Sequence, residues 1–84
     1  MKRSSMIEDN KQDKISLVTQ LVAGRLGIAE DELGPDSSMD TIPAWDSFEH
    51  MDICLAFEKK FGIKLSMDNI AHATSIRALA ALLP

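Results

Sequence analysis

Apolar residues along the chain recur mostly with helical spacing. Ile15, Val18, Leu21, Val22 and Leu26 fall at i, i+3, i+6, i+7 and i+11 and predict a first helix that ends at Gly27. Glycine suits the left-handed position that closes a helix, where a β-carbon is disfavoured. The start lies between Ser5, which has capping-box spacing to Glu8, and Asp9-Asn10, which can cap a later start. Residues 1–9 are therefore a candidate disordered segment. From Ile28 to Ala44 the period fails, and Gly34-Pro35, Ser37-Ser38 and Pro43 punctuate the stretch. Loops this long are uncommon in compact domains unless they are functional or tacked to the core. Ile28, Leu33, Met39 and Ile42 are the residues to tack it, with a short turn at Glu30-Asp31-Glu32.

A second helix opens at Asp46-Ser47, where Asp46 and Glu49 have capping-box spacing. Phe48, Met51, Cys54, Leu55, Phe57 and Phe61 then recur at helical spacing until Gly62. Ile63-Lys64-Leu65 reads as a brief extended link and Met67 to about His72 as one or two turns. Thr74 or Ser75 caps a last helix carrying Ile76, Leu79, Ala80 and Leu83. Nothing alternates with period two for long enough to build a sheet, and no internal repeat appears. The expected fold is all-α: a small four-helix bundle, three main helices plus one short one, with a long loop between the first two.

At 84 residues only one domain can find a core. A chain this small hardly accommodates a wide, deep catalytic cleft, which weighs against a self-contained enzyme. The single cysteine, Cys54, excludes an internal disulfide framework, and no Cys/His cluster has zinc spacing. No apolar run approaches the roughly 20 residues needed to cross a bilayer. Met1-Lys2-Arg3 leads into polar Ser4-Ser5 instead of an apolar signal core. A cytoplasmic protein without a membrane span is expected. The net charge of −4 is mild and makes nucleic acid an unfavourable partner.

The distribution of charge sharpens that average. Residues 27–58 carry nine acidic and no basic side chains, whereas residues 1–26 carry five basic and three acidic, and residues 59–84 four basic and one acidic. The acidic block is either a solvated face or a surface that meets a basic partner.

The stretch Ala44-Trp45-Asp46-Ser47-Phe48-Glu49-His50-Met51, followed by Phe57-Glu58-Lys59-Lys60-Phe61-Gly62-Ile63-Lys64-Leu65, decides what sits inside that block. With Glu30-Asp31 and Asp36-Ser37 upstream, these residues resemble the acyl carrier protein family from Ile15 to Leu83. An Asp-Ser pair alone is a weak signal. A bulky apolar residue after it at a helix start, a Glu-x-x-Phe-Gly-Ile ending and a long acidic loop before it make a strong one. The resemblance implies that Ser47 is esterified by 4'-phosphopantetheine taken from coenzyme A by a phosphopantetheinyl transferase. It implies a non-enzymatic shuttle that holds acyl groups as thioesters and docks on loading and processing enzymes through their Arg/Lys patches. Asp46, Phe48, Glu49, Met51 and Asp52 would form the docking surface of a monomeric carrier. The serine position suits the role, because unpaired N–H groups and the positive dipole end at a helix start favour a phosphodiester.

Plainer readings stand beside these. Asp46 is a helix cap in its own right, Glu49 and Asp52 can be a solvated face, and Phe48 and Met51 can be core. His50 and Cys54, four apart, permit drawing a Ser47–His50 dyad or half a metal site, but neither an oxyanion donor set nor further ligands accompany them. Cys54 is better read as a small buried residue. Asp36-Ser37-Ser38-Met39-Asp40 fails as a calcium loop, since Thr41 stands at the glycine position and Ser47 at the final glutamate. Trp45, Phe48 and His50 mark a stand-alone Trp-Asp-Ser subgroup, and Lys59-Lys60 replace acidic residues common in fatty-acid carriers. The pathway can thus be lipid, polyketide or aminoacyl and peptidyl carriage. An unmodified helical interaction or regulatory module that keeps the carrier fold is the alternative from another class.

Overall fold

A computed structural model describes the backbone of residues 2–84 and the side chains of residues 13–84. Helix α1 spans Lys2–Leu26, α2 Ser47–Phe61, α3 Met67–His72 and α4 Ile76–Ala80, with a single 3-10 turn at Glu30–Glu32. The small helical bundle is as expected, and the described residues form no strand, only an isolated antiparallel bridge between Ser38 and Ser75. Two of the four helices are long and two short. The last has five residues, extended by turn hydrogen bonds from Leu82 N–H to Leu79 and from Leu83 N–H to Ala80.

Helix α1 starts earlier than its apolar stripe indicates. No proline or glycine interrupts the chain before Gly24, and lysine, arginine, methionine, glutamate and glutamine among residues 2–14 favour the helix, so it continues past the stripe. The Ser5–Glu8 capping box and the disorder expected of residues 1–9 fall on side chains outside the described ones. Toward its C-terminus α1 buries Val18, Val22 and Ala23, with Ile15, Leu21 and Leu26 half-buried beside them. Gly27, at φ 72°, closes it as expected.

Helix α2 is the element on which the site depends. Asp46 caps it by accepting from Glu49 N–H at 2.9 Å, and Gly62, at φ 66°, terminates it with its N–H donating to the Glu58 carbonyl. Its buried face is His50, Ile53, Cys54 and Phe57, with Phe61 packed on edge against Phe57. This corrects the expected apolar stripe. Of the apolar residues at helical spacing, Leu55 lies on the surface, as do Phe48 and Met51, for which docking and core were both open readings; Phe48 is 80% exposed. The polar His50 takes an inward position because its hydrogen bonds are satisfied there.

The long loop is tacked down by the residues expected to do so: Leu33 is buried, and Ile28, Met39 and Ile42 pack against the core. Its backbone adds a second tether to the α3–α4 junction. Met39 N–H donates to Thr74, Ile76 N–H to Ser37 and Arg77 N–H to Pro35, while the Arg77 side chain pairs with Asp36 at 3.0 Å. Ser66 and Asn69 form a full capping box at the start of α3, and Ser75 caps α4. Helix α1 packs against both α2 and α4, so the core lies between them under the loop.

Candidate functional site

Ser47 is the first residue of α2 and is exposed. Its neighbour Asp46 takes over capping and binds the Glu49 N–H, which leaves the serine hydroxyl with no hydrogen bond to any described residue. The N–H groups of Ser47 and Phe48 belong to the first helical turn and have no intrahelical acceptor. An exposed hydroxyl therefore sits at the positive end of a 15-residue helix beside two unpaired donors. A phosphodiester on Ser47 Oγ has room and favourable electrostatics, so the position fits the prosthetic group implied by the sequence.

Around Ser47 the surface mixes apolar and acidic groups. Phe48, Met51 and Leu55 fall at i, i+3 and i+7 and form one exposed apolar stripe on α2. Asp46 is exposed and Glu49 half-exposed next to it. Asp52, by contrast, is not a free charge. Arg25 from α1 grips it bidentately, Nε to Oδ2 at 2.7 Å and Nη2 to Oδ1 at 2.8 Å. That hydrogen bonding, helped by the charge of Arg25, holds the Asp52 carboxyl below the usual aspartate range. Asp52 thus ties α1 to α2, a role its sequence position did not reveal, because its partner lies 27 residues away.

The drawn Ser47–His50 dyad does not exist. Ser47 faces solvent, whereas the His50 ring is 5% exposed and turned into the bundle. There its Nδ1 accepts from the Trp45 indole N–H at 3.0 Å, and its Nε2–H donates to the Ile70 carbonyl of α3 at 2.8 Å. These partners fix the neutral tautomer with the proton on Nε2. Cys54 Sγ lies 3.5 Å from Nε2, in a 1% exposed position, and burial pushes its thiol up to about 11, with the Glu58 carboxylate adding to the effect. Such a thiol is protonated at neutral pH and is no nucleophile. The described residues hold no cluster of three or more His, Cys, Asp or Glu able to bind a metal. Trp45, 1% exposed, was not expected in the core, and its spacing to His50 was the available signal.

An open groove of about 650 Å³, lined in part by Arg25, Leu55, Lys59, Gly62 and Lys64, lies toward the C-terminal end of α2, away from Ser47. Among the described residues no helix is long and apolar enough to cross a membrane.

Residues 16–83 match the family model described as phosphopantetheine attachment site. No curated protein matches the chain. The family match covers most of the sequence and falls on a helical bundle that presents an unengaged serine at a helix start. The chain belongs to the phosphopantetheine attachment site family and is a carrier domain for a 4'-phosphopantetheine group, not a catalyst.

Proposed function

We propose that Ser47 is the attachment residue and that the protein is an acyl carrier which shuttles thioester-bound intermediates between enzymes. The observation that carries this reading is the division of labour at the head of α2. Asp46 caps the helix, so the adjacent exposed hydroxyl of Ser47 is left without a structural task. In the loading step Ser47 Oγ forms a bond to the pantetheine-bearing phosphorus of the coenzyme A diphosphate as the P–O bond from that phosphorus to the bridging oxygen breaks. Adenosine bisphosphate leaves, and the hydroxyl proton passes to the transferase. The carrier's own residues present the oxygen and stabilise the phosphodiester through the helix start. When bound, the prosthetic group supplies the thiol on which acyl groups are held.

The exposed stripe of Phe48, Met51 and Leu55 flanked by Asp46 and Glu49 supports docking on enzymes whose surfaces offer an apolar pocket ringed by Arg and Lys. Asp52 contributes through its geometry with Arg25 more than through its charge. Lys59 and Lys60, where fatty-acid carriers commonly have acidic residues, place a dedicated lipid, polyketide or aminoacyl pathway on a par with housekeeping fatty-acid synthesis. A cytoplasmic monomer is the state in which such a carrier works.

The test is intact mass after incubation with coenzyme A and a broad-specificity pantetheinyl transferase. The arm is expected on the wild-type chain and absent from Ser47→Ala. An arm that persists in Ser47→Ala overturns the assignment of the serine. No arm on the wild type favours the unmodified interaction module.

A further inference from the structure

We propose that His50 is a positioning residue for the modification of Ser47, acting through Trp45. This rests on Ser47 being the attachment residue. The His50 side chain holds Trp45, two residues before the serine. Its Nδ1 accepts from the Trp45 indole N–H at 3.0 Å, while its backbone N–H makes the ordinary first-turn helix bond to the Asp46 carbonyl at 2.8 Å that any residue at this position makes. On the far side Nε2–H donates to the Ile70 carbonyl, so the same ring anchors the chain entering α2 to α3. Both polar ends of the imidazole are thereby used inside the core, where leaving either partner unpaired is costly. Trp45 is held again by its own N–H on the Ile42 carbonyl at 3.0 Å, which leaves the loop end before Ser47 fixed at both backbone and side chain. Ser47 has no such anchor of its own, and its direction is inherited from the anchored Trp45.

Each carrier is loaded once, by a transferase that must find the hydroxyl in one orientation. Fixing that orientation raises the fraction of docked complexes that react, which is a kcat effect, while docking charges govern KM. His50→Phe keeps a flat ring in the core and removes both hydrogen bonds. His50→Gln discards the ring but retains an acceptor and donors on one amide group.

The experiment measures modification kinetics at saturating coenzyme A with the carrier concentration varied. It also records, in the unmodified wild-type protein, the nuclear magnetic resonance signal of the Trp45 indole, the chain's single tryptophan. The expected result is a kcat roughly tenfold lower for His50→Phe, with KM within about twofold of wild type and kcat largely restored in His50→Gln. The indole proton is expected to exchange slowly with solvent and to show coupling across the hydrogen bond to His50 Nδ1. Wild-type kcat in folded His50→Phe, or His50→Gln as slow as His50→Phe, overturns the proposal. Should His50→Phe not fold, Trp45→Phe removes the donor from the other end of the same bond and is held to the same kinetic criterion. Lack of the coupling in wild type also overturns it. Failure of wild type to be modified at all strikes at the Ser47 assignment instead, and the indole measurement, made without modification, keeps the two outcomes apart.

Discussion

At the scale of single residues, the molecule holds a thiol that is chemically silent. Cys54 is 1% exposed, and its pKa is pushed up to about 11 by burial first and the Glu58 carboxylate second. The folded state binds this proton more tightly than the unfolded chain, whose thiol titrates near pH 9. The associated stabilisation is therefore complete below about pH 9 and lost as pH rises through about 11. Chemical denaturation should show stability falling over that window, with a shallower fall in Cys54→Ala. The same burial makes Cys54 slow to alkylate. At pH 8 a thiol reagent is expected to react with the unmodified native protein at least tenfold more slowly than with the denatured one. After loading with phosphopantetheine a single fast-reacting thiol should appear, which gives a colorimetric measure of the arm. A fast thiol in the native, unmodified chain would contradict this account.

Helix α2 concentrates opposite tasks on two faces, and substitutions on them should behave differently. Phe57→Ala empties a fully buried position and is expected to cost about 3–5 kcal/mol, enough to threaten folding of so small a domain. Phe48→Ala, at an 80% exposed position, should change stability by less than about 0.5 kcal/mol while slowing transfer to partner enzymes. Paired denaturation and transfer assays check both. This two-faced character also explains what the sequence disclosed of α2. Its ends were legible, since Asp46 and Gly62 act through local backbone geometry that residue type announces. Met67–His72 and the Ser75 cap were legible for the same reason. The inward face was not, because apolar side chains occupy more than one face of the helix and the real core includes a histidine. Hydropathy cannot tell an exposed Phe48 from a buried Phe57. Only long-range pairings such as His50 with Ile70 and Arg25 with Asp52 separate the faces. The place of Ser47 at the start of α2 was legible because the aspartate cap directly precedes it in the chain.

Over the whole molecule, charge is sorted along the sequence: the acidic block of residues 27–58 includes the head of α2, and net-basic segments flank it. Association with a basic transferase should accordingly slow as salt rises from 0.05 to 0.5 M on the order of tenfold, following Debye screening. Glu49→Lys is expected to be slow at low salt and to respond little to added salt, while circular dichroism stays unchanged. Salt sensitivity equal to wild type would remove Glu49 from the docking surface. The tether between the long loop and the α3–α4 junction has a consequence for biosynthesis. Ser47 emerges from the ribosome well before Ile70, Thr74, Ile76 and Arg77, whose backbone groups hold His50 and the loop in place. The geometry at the head of α2 thus depends on residues that follow it by more than twenty positions, and a chain displaying Ser47 without them lacks the anchors that hold that turn.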